Sequence, residues 1–226
     1  MRSPFSPAHL LIFVLILVFL MTLVQLGLVS LAFDKLGLST SQGMLLLFAS
    51  LFGSLLNLPL TSIKALPPPE PEPDAQHQGP QGVLRMPVLP FTGRTLIAVN
   101  AGGCLVPLVF SASLIHRFPL PLYDILLAVA IVAGICYVAS RPIPHMGIGM
   151  PMLVAPIAAA IVAILIGGEK LAAPLAYICG TLGVLVGADL LRLKDIAKIG
   201  APIASIGGAG TFDGIFLTGI VAVLLT

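Results

Sequence analysis

An all-α membrane protein, a polytopic helical bundle of about seven transmembrane segments with a broken, Gly-rich last one, is the fold class this sequence predicts. Three observations predict it. Of 226 residues, 58% are hydrophobic and 9% charged, against roughly 25% charged in soluble domains. The apolar residues gather into runs of about 20, enough for a helix to cross a hydrocarbon layer of roughly 30 Å. Runs such as LLIFVLILVFL at 10–20 do not alternate apolar with polar, as the strands of a membrane barrel do. A soluble enzyme fold is excluded, because a single core of this length leaves too little polar surface for water. The formal charge of +2, with no basic tract beyond RLK at 192–194, excludes nucleic acid as a partner and leaves the lipid bilayer.

The expected segments are about 10–33, 43–62, 94–115, 122–140, 152–168, 172–191 and 201–226. The first exceeds the roughly 7–15 apolar residues of a signal peptide, so it reads as a retained helix. Asp34 with Lys35, Arg117, Arg141, and Glu169 with Lys170 fall at segment ends, within reach of water and headgroups. Asp124 opens the fourth helix, where a first-turn acid is favoured by the helix dipole.

Residues 63–90 hold eight prolines and the acids Glu70, Glu72 and Asp74. Proline removes donors and fixes φ, so an extended cytoplasmic linker is expected, with a PxxP docking ligand at Pro68 to Pro71 as the alternative. It divides an N-terminal two-helix hairpin, 1–62, from a five-segment membrane domain, 91–226. Cys104, Cys136 and Cys179 lie singly in apolar runs, and the four His form no HxxxH or HExxH pair, so neither a metal site nor a cofactor is expected.

With the N-terminus inside, the inner segments carry Arg2, Lys64, Arg85, Arg94, Arg141, Arg192, Lys194 and Lys198, and the outer ones Lys35, Arg117 and Lys170. That bias sets the N-terminus in the cytoplasm and the C-terminus outside.

Two acids fall inside apolar segments, where an ionisable group is costly. Asp189 lies about one turn inside the inner end of the sixth segment; the competing reading is a snorkelling carboxylate paired with Arg192 or Lys194. Asp213 is followed by only 13 residues, about 20 Å of helix and too short to span. The preceding stretch must then also enter the membrane, and Gly207, Gly208 and Gly210 disfavour continuous helix there. A broken segment has to satisfy its freed backbone groups on protein or in a watery cavity. The competing reading of the same glycines is a helix-packing surface. Consecutive antiparallel segments are usually neighbours, so the two carboxylates are expected to meet, one protonated as acid and the other acting as base on a water.

The Gly-rich turn leading to Asp213 on an outgoing helix, preceded by an ingoing helix with Asp189 near its inner end, resembles the GxGD intramembrane aspartyl proteases, the presenilin and signal-peptide-peptidase group. Gly208 and Gly210 stand for the motif's glycines, Asp213 for its acid and Asp189 for the partner acid. The chain departs from that pattern in three ways. Thr211 and Phe212 intervene before Asp213, Ala188 rather than Tyr precedes Asp189, and no Pro-Ala-Leu segment follows. The resemblance covers 172–226. It implies catalysis by Asp189 and Asp213, substrate binding by Gly207, Gly208, Gly210 and Thr211, and a transmembrane peptide as substrate. The C-terminal half, with VGADLL and ASIGGAGTFDGIFLTGI, also resembles an uncharacterised family of prokaryotic multi-pass membrane proteins, which implies an inner (plasma) membrane setting and no established activity.

Three functions are therefore in view. They are a membrane-embedded diaspartyl hydrolase, a carrier or channel with Asn57, Asn100 and Asp213 as ligands, and a scaffold whose small-residue faces pack other helices. The charge bias predicts that a reporter fused after Thr226 is active only outside the cell. Cytoplasmic activity at that position would show a miscounted segment.

Overall fold

The computed structural model describes residues 7–25, 27–65, 93–143, 147–199, 203–208 and 214–226. It is mostly helical, with helices α1 (Pro7–Gln25), α2 (Leu28–Lys35), α3 (Thr40–Gly53), α4 (Val106–Arg117), α5 (Leu122–Ala139), α6 (Val154–Val184), α7 (Leu193–Ile199) and α8 (Gly214–Leu225). Strands also form, which corrects the all-α expectation. They are β1 (Asn57–Lys64), β2 (Arg94–Asn100), β3 (Arg141–Ile143), β4 (Gly147–Gly149) and β5 (Ile203–Ile206).

Seven helical spans are not confirmed among the described residues. Leu122–Ala139 and Val154–Leu190 are long and apolar enough to cross a membrane, and Leu28–Lys35 with Thr40–Gly53, bent by 104°, makes a third if the pair is one span. The capping box of Ser39 explains where that pair restarts: its Oγ accepts from the Gln42 N–H and its own N–H donates to Gln42 Oε1. Apolar content marked the remaining stretches correctly but could not say how their backbone runs.

The predicted second and third segments are each part helix and part strand. Helix α3 stops at Gly53, and β1 pairs antiparallel with β2 from Asn57↔Asn100 to Lys64↔Arg94, with an irregularity between Pro59 and Thr61. Pro59 has no N–H to continue a helix, and Thr95, Ile97 and Val99 are β-branched residues suited to a strand. Parallel to β2 lies β5, Leu96↔Ile203 to Val99↔Ile206, giving the sheet order β1-β2-β5. Strands β3 and β4 make a separate two-stranded pair.

Val154–Leu190 doubles back on itself. Gly168, at φ 58° and ψ −171°, interrupts the helical dihedrals. Cys179 Sγ lies 3.6 Å from the Ala159 carbonyl, whereas 20 residues of straight helix would separate them by about 30 Å. The fifth and sixth expected segments are thus adjacent antiparallel arms, and only a residue without Cβ takes that φ cheaply at the turn.

Around these arms the core closes. One stripe of α5, Ile125, Ala128, Val132 and Cys136, is buried at helical spacing against α6, and α8 buries Ile215, Phe216, Ile220 and Val223 on the other side. At mid-depth Phe110 of α4 meets Tyr177 edge-on at 4.8 Å, and Ser111 Oγ lies 3.1 Å from Thr181 Oγ1. Lys35 Nζ reaches the Val223 carbonyl, tying α2 to the last turn of α8.

This packing sorts the basic residues by bundle end. Lys64, Arg94, Arg141, Arg192 and Lys194 share the end that carries the sheet, whereas Lys35, Arg117 and Lys170 lie at the end of the Gly168 turn.

Of the expected linker, 63–90, Ile63 and Lys64 are instead the end of β1, paired with β2, and residues 66–90 lie outside the described residues. Their flanks do not: the Ala65 N–H donates to the Gly93 carbonyl at 3.1 Å, so the chain leaves and returns at neighbouring positions. Seven register pairs join β1 to β2, and α2 packs on α8. A protease site placed at residues 75–80 and cut in the folded protein is therefore expected to leave two fragments that co-purify. Separation in mild detergent would show that the strands do not hold the halves together.

Candidate functional site

Helix α6 does not end in a regular α-turn. It passes into a π-helical turn, Leu185–Leu190, a rare geometry that inserts a residue and redirects a side chain, often at functional sites. The turn carries Asp189, whose Oδ2 accepts the backbone N–H of Gly207 at 2.7 Å. A carboxylate from the end of the sixth segment is thus bonded to the backbone that opens the seventh.

Gly207 terminates β5 with φ 78°, a region L side chains rarely adopt. It is also packed too closely for any other residue: an added Cβ would stand 2.7 Å from both Cβ and N of Cys104. Cys104 belongs to a second π-helical turn, Ala101–Leu105, at the start of α4. Both π turns among the described residues therefore converge on Gly207.

A polar network holds the strands in place beside it. Asn100, 1% exposed, donates through Nδ2 to the Ser54 carbonyl at 2.7 Å and to Asn57 Oδ1 at 3.1 Å, and its Oδ1 accepts the Gly103 N–H at 2.8 Å. Asn57 Oδ1 also accepts a short hydrogen bond from Ser205 Oγ of β5. Three segments far apart in sequence, β1, β2 and β5, are thereby pinned through two carboxamides. Gly102 lets α3 approach closely enough for Ser50 Oγ to reach its carbonyl at 3.1 Å; a Cβ there would overlap the Ser50 carbonyl.

The ion-pair reading of Asp189 is overturned. Arg192 turns away from it, donating to the Tyr137 carbonyl at 2.7 Å, the Ser140 carbonyl at 2.8 Å and Ser140 Oγ at 3.2 Å. Its guanidinium lies 4.2 Å from the Tyr137 ring centre and pairs with Asp195 at 3.1 Å. Arg192 therefore caps the free carbonyls at the end of α5, the role a cation plays well at a helix C-terminus. Among the described residues Asp189 has Gly207 as its partner and no basic group.

Of the residues singled out in the sequence, Asp189, Gly207 and Gly208 are brought together; the Gly208 N–H donates to the Ser205 carbonyl at 3.3 Å. Gly210, Thr211 and Asp213 lie outside the described residues, and Asp213 directly precedes the first residue of α8. The described part of the last segment is not one continuous helix: it is strand to Ile206, a turn at Gly207, and helix over Gly214–Leu225. Asn57 and Asn100 were visible as amides in apolar runs; Asn100 binds the Ser54 carbonyl and the Gly103 N–H, and Asn57 Oδ1 accepts from the Asn100 and Ser205 side chains. The Ser205 link gave no sequence signal. Among the described residues no group of three or more His, Cys, Asp or Glu could hold a metal.

Fold and site together define a class, mostly helical proteins with apolar helices long enough to cross a membrane and a half-buried acid, Asp189, bonded to the turn after β5. Residues 51–225 match the family described as Protein of unknown function (DUF1614), and the chain belongs to that family. The match takes in the sheet, both π turns, Asp189 and α8, and leaves out α1 and α2. No curated protein and no solved structure matches the chain.

The Asp189–Gly207 bond makes a separable prediction. Asp189→Asn keeps an acceptor for the Gly207 N–H, while Asp189→Ala leaves that donor unsatisfied, a loss of about 1–3 kcal/mol. Thermal unfolding in detergent is expected to show the Ala variant clearly less stable than the Asn variant. Equal melting temperatures would show that the bond contributes nothing.

Proposed function

We propose that this protein is a membrane-embedded diaspartyl hydrolase of the intramembrane aspartyl protease kind, with Asp189 and Asp213 as its acid–base pair and a transmembrane peptide as substrate. One observation carries the reading. Among the described residues the half-buried Asp189 carboxylate has no cation to neutralise it and is bonded instead to the turn that leads, six residues on, to the second acid. A structural ion pair would explain Asp189 without chemistry, and Arg192 is committed to the end of α5.

In this reading the two carboxyls share a site, where only one ionises cheaply. The carboxylate takes a proton from water as its oxygen bonds to the scissile carbonyl carbon, and the protonated partner gives its proton to the carbonyl oxygen. The tetrahedral adduct then breaks its C–N bond, the amide nitrogen leaves with a proton, and the new carboxylic acid departs. A substrate must be extended to expose that carbonyl, and Gly207 and Gly208, at the end of strand β5, offer backbone without bulky side chains.

Less supports the rival readings. Of the residues a carrier site would use, Asn100 spends its amide on Ser54, Asn57 and Gly103, and Asn57 Oδ1 accepts from Asn100 and Ser205. The scaffold reading needs free small-residue faces, yet Gly183 and Gly187 are closed against Val132 and Ala133, and Gly219 against Thr181 and Tyr177. In this reading the sheet end faces the cytoplasm of a prokaryotic cell and the protein sits in its inner membrane, supported by the five cations at that end against three at the other.

Asp189→Asn and Asp213→Asn are each expected to lower cleavage of a membrane-embedded test substrate by at least about 100-fold, with the double variant no worse than either single. Wild-type protein that cleaves no substrate and binds no aspartyl-protease transition-state analogue, yet moves a cation into liposomes in an Asp213-dependent way, would replace this function with the carrier.

A further inference from the structure

Away from the acids, the outer face of the β1-β2-β5 sheet joins two features that soluble surfaces keep apart. Paired residues in adjacent strands share a face, and successive residues alternate faces. Arg94 with Lys64, and Leu96 with Ser62 and Ile203, therefore point one way, while Thr95 with Ile63 and Ile97 with Thr61 point into the protein. On β2 burial agrees, Thr95 and Ile97 being buried and Leu96 36% exposed; Ile203 of β5 is 45% exposed, and the edge strand β1 is exposed along nearly all its length, Thr61 included. Leu60, at the irregularity of β1, is 63% exposed. One end of the sheet is thus apolar and uncovered across three strands, and its tip is cationic.

The tip is electrostatically unfavourable as it stands. Lys64 and Arg94 are direct cross-strand partners, and like charges in that relation repel. Arg94 is held over the sheet by Ser62, its Nε donating to Oγ at 3.2 Å and its Nη2 to the carbonyl at 3.3 Å. Neither cation has an acidic partner among the described residues. An anion between them would relieve the repulsion and use the remaining donors, and the apolar patch directly below requires a nonpolar body attached to that anion.

We infer that this face is a docking surface for anionic phospholipid: Lys64 and Arg94 bind the headgroup phosphate, and Leu60, Leu96 and Ile203 lie against its acyl chains. A free phosphate would satisfy the cations and leave the leucines in water, so the lipid is the occupant that accounts for both parts. The inference is independent of the hydrolase reading, since it involves neither acid.

The chain has no Trp, so a single introduced one reports its own surroundings. The full chain bearing Leu60→Trp is reconstituted into vesicles of phosphatidylglycerol and phosphatidylcholine in equal parts, with bromine on the acyl chains of one lipid or the other. Bromine on phosphatidylglycerol is expected to quench more strongly, reflecting a local enrichment of about fivefold per cation at low salt. The difference is expected to vanish in Lys64→Gln/Arg94→Gln and to shrink at high salt. Leu96→Trp serves as a second reporter on the same face if the first variant does not fold. Equal quenching by both lipids would overturn the headgroup selectivity, and no quenching by either would show that the face does not touch the bilayer.

Discussion

A backbone amide or carbonyl without a partner costs several kcal/mol in hydrocarbon, and this constraint shapes the chain wherever a helix stops. The last segment is where it acts most sharply. Helix α8 is too short to span alone, so the chain before it must descend among apolar neighbours in another form. Strand β5 takes the β2 ladder as its partner, and the Gly207 N–H beyond the ladder finds Asp189. Removal of that carboxylate would strand a donor in an apolar surrounding. The half-buried Asp189 is therefore bound to the turn that ends β5, six residues before Asp213 in sequence.

The same requirement explains the asparagines and the π turns. Ending α3 at Gly53 and starting α4 after Asn100 frees groups that a continuous helix would satisfy internally. Asn100 meets two of these demands at once, the Ser54 carbonyl and the Gly103 N–H, while donating also to Asn57 Oδ1, and Ser50 takes the Gly102 carbonyl. Each π turn accommodates one extra residue where two segments press together at Gly207. Arg192 performs the corresponding service at the end of α5, with an aromatic ring beneath its guanidinium. Polar side chains in this bundle mostly complete backbone hydrogen bonding. Asp189 differs from them in carrying an ionisable group without a countercharge among the described residues, and that difference gives the hydrolase reading its footing.

Charge and shape also agree across the molecule. The Gly168 turn sends the two arms of Val154–Leu190 back along each other, which returns Asp189 and Arg192 to the end where the sheet and its cations lie. Alternating chain direction thus collects the basic residues that a bilayer's charge asymmetry would sort.

The sequence by itself determined the membrane class, because apolar content is a sum over residues and needs no geometry. It also pointed to an interruption at Gly207 and Gly208, since glycines disfavour continuous helix, and to Asp189 near the end of its helix. Only the tertiary structure decided that residues 57–64 and 94–100 are strands. In a short apolar run helix and strand periodicities look alike, and the choice fell to pairing between positions about 40 residues apart. It likewise decided that Arg192 serves α5 rather than Asp189, because neighbours in sequence one turn apart compete with carbonyls that only packing brings near. And it joined Asp189 to Gly207, Asn57 to Ser205 and Cys104 to the turn, contacts whose partners are set by how the segments pack, a relation no local spacing encodes.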